Sequence, residues 1–177
     1  MVGVVIVVLN KVIIPNGKYN DAKELMANGQ YDEAIIVFAE LDGYRDCESK
    51  ILECKYQDAI YIMSTGNYSE AINKFESIIG YKDSETMIKD LYYDEAIELM
   101  NEGNYSEAIN KFVSIMGYKD SGMKKIECET ILQDICYDEA IELMNEGNYG
   151  AAIVKFESIR GYKDSATKIN EGNAAAV

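Results

Sequence analysis

Three features of the 177-residue sequence predict an all-α chain, an α-solenoid of antiparallel helix pairs. The phrase Tyr93-Asp-Glu-Ala-Ile-Glu-Leu-Met-Asn-Glu-Gly-Asn-Tyr105 returns unchanged at Tyr137 to Tyr149, with looser copies from Tyr56 to Tyr68 and from Tyr19 to Tyr31. Each copy runs on into Glu-Ala-Ile-x-x-Phe or a variant of it, then into a Gly-Tyr-Lys-Asp-Ser loop at Gly80 to Ser84, Gly117 to Ser121 and Gly161 to Ser165; Gly43-Tyr-Arg-Asp-Cys47 is the divergent first version. Within the phrase the apolar positions have a helical period, Tyr93, Ala96, Ile97, Leu99 and Met100 falling on one side and Asp94, Glu95, Glu98, Asn101 and Glu102 on the other. Such self-similarity means stacked supersecondary units, each unable to bury its apolar face alone.

The first element is an apolar segment, residues 1–15, too short for the roughly 20 residues that span a bilayer. It has no basic n-region and no small-residue cleavage site. Two readings stand: the remnant of a membrane anchor, which its Val/Ile run favours, or a segment docked on the first repeat. Pro15-Asn-Gly is expected to break it from the repeat array of residues 16–177.

From Tyr19 the array is regular: Tyr19, Tyr56 and Tyr93 stand 37 residues apart, and Tyr137 follows 44 residues later. The first helix of each repeat is expected to stop at a glycine such as Gly103, which is free to take the left-handed conformation. Asn104 with Glu107, and Asn67 with Glu70, have capping-box spacing for the second helix. Ala108, Ile109, Phe112 and Ile115 form its buried stripe, Gly117 ends it, and Asp120 or Ser121 caps the next long helix. That first helix is long enough for its two halves to touch different neighbours. The extra seven residues before Tyr137 make almost two turns, so the apolar stripe keeps its phase to within about 20°.

Composition excludes some functions. With 31 acidic against 17 basic residues and a net charge of -14, the chain lacks the basic footprint of a nucleic-acid or anionic-lipid binder. The four cysteines, at 47, 54, 128 and 136, contain no CxxC pair, and there is no histidine, so zinc-ligand spacing is missing. Cys54 and Cys128 occupy equivalent places and read as small buried residues. No nucleophile and base stand at a telling spacing and no glycine loop suits a phosphate, so neither catalysis nor a cofactor or metal is expected.

Ala96-x6-Gly103-x-Tyr105-x2-Ala108-x3-Phe112 resembles the tetratricopeptide-repeat signature. It recurs as Ala22, Gly29, Tyr31, Ala34, Phe38; as Ala59, Gly66, Tyr68, Ala71, Phe75; and as Ala140, Gly147, Tyr149, Ala152, Phe156. The sequence thus resembles four tetratricopeptide-like repeats. It departs from that family in its longer period, in an aspartate where proline is usual, and in Glu95 and Glu139 where leucine is common. The apolar lead-in with its repeats is also similar to membrane-anchored repeat proteins of Gram-positive bacteria, which favours an envelope-facing location over a cytoplasmic one.

The tetratricopeptide resemblance implies a groove, lined by first helices, that receives a peptide or a partner helix. Carried over by position, the groove residues are Tyr56, Tyr93 and Tyr137, Ile97 and Ile141, Met63, Met100 and Met144, with Asn101 and Asn145 beside them; Tyr19, Ile60 and Met26 stand at equivalent steps. Methionines adapt their shape and tyrosines offer large area with a polar tip. The same columns would equally suit core between successive helices. The function implied is a non-enzymatic protein-interaction module, and the alternative is a structural spacer with no groove ligand.

At the other end, Gly161 to Ser165 announces a fifth long helix for which only 12 residues remain. Ala152, Ile153, Phe156 and Ile159 are therefore expected to keep part of their apolar surface uncovered, to be met by a further repeat, by a second chain in a homodimer, or by nothing if the end frays.

Overall fold

The computed structural model describes residues 14–176, which form nine helices and, among those residues, no strand. In chain order they are α1 (Ile14–Ala27), α2 (Tyr31–Ala39), α3 (Cys47–Ser64), α4 (Tyr68–Glu76), α5 (Ser84–Asn101), α6 (Tyr105–Ser114), α7 (Ser121–Asn145), α8 (Tyr149–Ser158) and α9 (Ser165–Ala175). The chain divides after Leu91, inside α5, into two compact bodies. The apolar segment read as an anchor remnant lies almost wholly outside the described residues. No helix among them is long and apolar enough to cross a membrane.

Pro15, Asn16 and Gly17 lie in the opening turn of α1, and the apolar segment that they were expected to set apart from the array lies outside the described residues but for that turn. The missing proline N–H costs nothing there, since the first N–H groups of a helix have no intrahelical partner.

In the first body, Tyr19, Ala22, Ala34, Phe38, Leu41, Cys47 and Cys54 form one core shared by α1, α2 and α3. In the second body, Ala96, Ala108, Phe112, Ile115 and Cys128 form one core, and Ala140, Ala152, Phe156, Ile159 and Ile169 another. The long α7 serves two cores, sending Cys128 into the Phe112 core and Ala140, twelve residues on, into the Phe156 core. The extra residues lie between those anchors. Cys128 follows Ser121 as Cys54 follows Cys47, but Tyr137 comes nine residues after Cys128 where Tyr56 comes two after Cys54. Seven residues in an α-helix are close to two turns, so the second half of α7 keeps the phase that the second half of α3 has.

The capping expectations are corrected in part. Asn67 accepts from the Glu70 N–H at 3.4 Å, but Asn104 makes no side-chain cap bond, and neither Asp120 nor Asp164 caps the helix that it precedes. Asn148 instead accepts from the Ala151 N–H at 3.5 Å. The loop serines Ser84, Ser121 and Ser165 are fully buried and turn back on the preceding loop, each donating to a backbone carbonyl 2.5 to 3.0 Å away. Cys47 takes this place in the first loop and is buried too.

The C-terminal expectation is corrected for three of its four residues. Short as it is, α9 packs on α8 and buries Ile169, while Ala152, Phe156 and Ile159 are buried and Ile153 is half-buried. Gly172 permits the close approach: a Cβ there would lie 3.0 Å from Ile153 Cγ1 and 3.3 Å from Met144 Sδ. Most of the surface expected to be met by a further repeat, by a second chain or by nothing is therefore covered by α9, with Ile153 left half-buried.

Phe38, Phe75, Phe112 and Phe156 occupy the same step of successive second helices and are wholly inaccessible. Phe112→Ala should therefore destabilise the protein by roughly 3–5 kcal/mol, the range for an aromatic side chain removed from a packed core. Urea unfolding monitored by circular dichroism measures this; a loss below about 0.5 kcal/mol, the surface range, would contradict the burial.

Candidate functional site

The groove positions fall on two kinds of ground. The tyrosines belong to a junction built four times. Tyr56 of α3 is buried, its ring meets Phe75 of α4 edge-on at 5.8 Å, and its hydroxyl donates to the Asp83 carboxylate at 2.6 Å. Tyr93 does the same with Phe112 (5.8 Å) and Asp120 (2.5 Å), and Tyr137 with Phe156 (5.6 Å) and Asp164 (2.5 Å). Tyr19, with Phe38 and Asp46, completes the series. The loop cation closes each junction: Lys82 Nζ stands 4.5 Å from the Tyr56 ring centre, Lys119 4.6 Å from Tyr93 and Lys163 4.7 Å from Tyr137, with the Arg45 guanidinium 4.9 Å from Tyr19.

The backbone is bent to place those cations. Arg45, Lys82, Lys119 and Lys163 all have φ between 46° and 51°, the left-handed region that a residue with a Cβ occupies only at a cost. The strain is compensated by charge: the cation lies against two tyrosine faces, and Lys82 in the first body reaches a carboxylate as well. Lys82 donates to Glu53 at 2.8 Å, Tyr81 donates to the other Glu53 oxygen at 2.7 Å, and Gln57 adds a third bond at 2.9 Å. The Lys82 bond leads these three in holding the Glu53 carboxyl at about 2. The hydrogen bond that Tyr56 donates to Asp83, reinforced by burial, pushes its phenol up to about 12. In the second body Lys163 binds Asp134, which has the register of Glu53, three residues before the repeat tyrosine.

The second kind of ground is aliphatic and amide. Ile97 and Met100 are half-buried against the Phe112 core, and Ile141 and Met144 against the Phe156 core, each presenting its outer part to solvent. Met63 is likewise half-buried on α3, and Asn101 and Asn145 are exposed. The second body thus brings together two sets, Tyr93, Ile97, Met100 and Asn101 on α5 and Tyr137, Ile141, Met144 and Asn145 on α7. In the first body Tyr56 and Met63 share α3.

Sequence reasoning missed two recurrent pairings, both present as fixed intervals. Tyrosine to loop aspartate is 27 residues in every repeat, even where the period is 44. The acidic residues that depart from the tetratricopeptide pattern find lysines 16 residues on: Glu95 pairs with Lys111 at 2.7 Å and Glu139 with Lys155 at 2.7 Å, and Asp58 pairs with Lys74 in the same register. They tie the first helix of a repeat to its second where a leucine would otherwise pack, and solvent screening keeps the contribution of each small.

Clefts are small. One of about 260 Å³ lies among Asp32, Ile35, Lys55, Asp58, Lys74 and Ser77 of the first body, and another of about 260 Å³ among Glu139, Glu142, Leu143, Glu146 and Lys155 of the second. Among the described residues no group of three or more Cys, Asp or Glu side chains could hold a metal ion. Cys47, Cys54 and Cys128 are buried, and burial pushes the Cys54 thiol up to about 11, so its nucleophilic thiolate form is suppressed.

Fold and site together define an all-α chain of repeated antiparallel helix pairs. No family model matches the chain, and no curated protein matches it. A crystal structure of nearly identical TPR-like repeats, from a variant of a provisionally assigned kinesin light chain of Podosopora anserina, is similar at 16% identity over 91% of this chain and 85% of that one. The TM-score is 0.21, too low to carry an argument about geometry or function.

Two measurements follow. Tyr56→Phe keeps the ring and removes one hydrogen bond to a partly exposed carboxylate, so it should cost about 1 kcal/mol in urea unfolding, with the fold unchanged by circular dichroism. An unaltered midpoint would show that the hydroxyl adds nothing to the ring. Glu53 has a folded pKa below its unfolded one, so its stabilisation is fully present above about pH 4.3 and is lost as pH falls towards 2. The stability gap between wild type and Glu53→Gln should therefore be widest near neutrality and close on acidification. A gap independent of pH would show that the carboxylate charge is not what stabilises the loop.

Proposed function

We propose that the chain is a non-enzymatic protein-interaction module whose first helices present a binding face of Ile97, Met100 and Asn101 on α5 and Ile141, Met144 and Asn145 on α7; Met63 holds the same step of α3 in the first body. Repeats of this kind generally mediate protein–protein interaction. The observation that carries the reading is the half-burial of the Ile and Met positions beside exposed asparagines. Their inner parts are held by the core, so the outer parts form a rigid apolar strip with an amide edge, the chemistry that a peptide or partner helix uses. The tyrosines Tyr56, Tyr93 and Tyr137 support that face rather than contact the partner through their hydroxyls, because those hydroxyls already donate to loop aspartates. Attachment to a membrane through residues 1–15 belongs to the same proposal.

That internal use of every repeat tyrosine hydroxyl favours a second reading, a spacer whose repeats are rigid for their own sake. One experiment separates the two. A photoreactive benzoylphenylalanine placed at Asn101 or at Asn145 should give the same discrete adduct in cells that naturally make the protein, and the same probe at Ser114 or Ser158 of the second helices should not. Adducts from neither pair, or equally from both, would remove the binding face and leave the spacer.

A further inference from the structure

The two turns inserted in α7 leave a stretch of that helix uncovered. In the first body, Tyr81 and Lys82 of the loop after α4 reach back to Glu53 of α3, the residue next to Leu52. In the second body the matching loop cation, Lys163, reaches Asp134, eight residues beyond Ile126, which stands five residues after Ser121 as Leu52 stands five after Cys47. The contact between α8 and α7 is thus shifted along α7 by about 10 Å, the rise of seven helical residues. Ile126 is left 60% exposed where Leu52 is 36% exposed.

The uncovered stretch is apolar. Met123 is 69% exposed, and at about 100° per residue it falls with Ile126 and Thr130 within about 60° of the helix circumference. The Thr130 hydroxyl donates to the Ile126 carbonyl at 2.9 Å, so its proton is spent on its own helix. Exposed Met116 extends the face, since its sulfur lies 3.6 Å from where a Cβ at Gly122 would stand, one turn before Ile126. The steps that match Met123 and Ile126 are Ser49 and Leu52 in α3, Thr86 and Lys89 in α5, and Thr167 and Asn170 in α9. Both steps are apolar only in the lengthened helix.

The charges around this face are complementary to themselves. Residues 121–133 carry two lysines and two glutamates, a net charge of zero in a chain whose net charge is -14. On one edge of the face Lys124 precedes Glu127, to which it donates at 2.9 Å, and on the other Lys125 precedes Glu129, to which it donates at 2.5 Å. In a two-fold antiparallel pair of α7 helices each edge meets the same edge reversed, so lysine faces glutamate on both sides while Ile126 meets its own copy near the axis. A parallel pair would set lysine against lysine and glutamate against glutamate. Elsewhere the acidic excess opposes self-association. We propose that the chain forms a homodimer through antiparallel α7 helices, with Met123 and Ile126 of each protomer packed at the centre and the two lysine–glutamate pairs exchanged between protomers along the edges. The proposal goes beyond the binding face and does not depend on it.

Sedimentation equilibrium of the full chain from about 10 µM to about 1 mM, the range in which weak dimers form, tests this. Wild type should rise from the 19.9 kDa of one chain towards twice that mass. Ile126→Glu should stay at the mass of one chain throughout, and Val154→Glu, which puts the same charge on a more exposed apolar residue of α8, should behave as wild type. Lys124→Glu with Lys125→Glu, and Glu127→Lys with Glu129→Lys, should each be monomeric alone and keep their helix content by circular dichroism. An equimolar mixture of these two should recover the double mass, because opposite charges again meet on both edges. A wild type that stays monomeric at about 1 mM would overturn the proposal. So would a dimer that Ile126→Glu leaves intact, or a mixture of the two helical charge variants that remains monomeric.

Discussion

The edge-on contact between a first-helix tyrosine and a second-helix phenylalanine, with the phenol pinned to the aspartate of the following loop, is the interaction on which each repeat depends. It joins three elements at one point: the helix that supplies the tyrosine, the partner helix that supplies the phenylalanine, and the loop that starts the next repeat. An aromatic pair of this geometry is worth about 0.5–1.5 kcal/mol beyond the area it buries. Its structural value is larger, because the hydrogen bond fixes where the loop lies and hence where the next long helix begins.

The left-handed lysine follows from that constraint. For the aspartate to reach back to the phenol the loop must turn sharply, and the residue before it takes a positive φ. Glycine would adopt this conformation more cheaply, but it would bring no charge. A lysine or arginine accepts the strain and places a cation over the tyrosine ring just bound, so the conformational cost is set against a cation–π contact. The first loop shows how far the scheme tolerates change: arginine replaces lysine and Cys47 replaces the serine, while the Tyr19 to Asp46 bond is retained.

A rigid junction in each repeat also explains how α7 can be longer than α3 without harm to its neighbours. The inserted residues fall between the anchor to the preceding core, Cys128, and the tyrosine that opens the next one, Tyr137. Because they complete nearly two turns, Asp134, Tyr137 and Glu139 meet Lys163, Asp164 and Lys155 as their counterparts in α3 meet Lys82, Asp83 and Lys74. Stability and surface are consequently decoupled. The interior of a repeat is dictated by the junction, which constrains the exposed side of the first helix less.

Much of this was legible in the residues alone. Recurrence and a 3.6-residue period determine the helices, their order, the turn glycines and the buried alanine and phenylalanine steps, because these depend on local propensity and on which face is apolar. The sequence alone also placed Cys54 and Cys128 in equivalent buried sites. What it could not determine were the partners of polar groups. The loop aspartates looked like helix caps, and only the folded backbone brought the tyrosine hydroxyl to Asp120 in place of a helix N–H. Glu95 and Glu139 looked like misfits until Lys111 and Lys155 were brought across from the second helix. The end of the chain likewise looked too short to cover α8, and it does so because Gly172 lets α9 come closer than a residue with a Cβ would allow. Hydrogen-bond geometry and close packing between elements distant in sequence leave no periodic trace in the chain, and they were decided by tertiary structure.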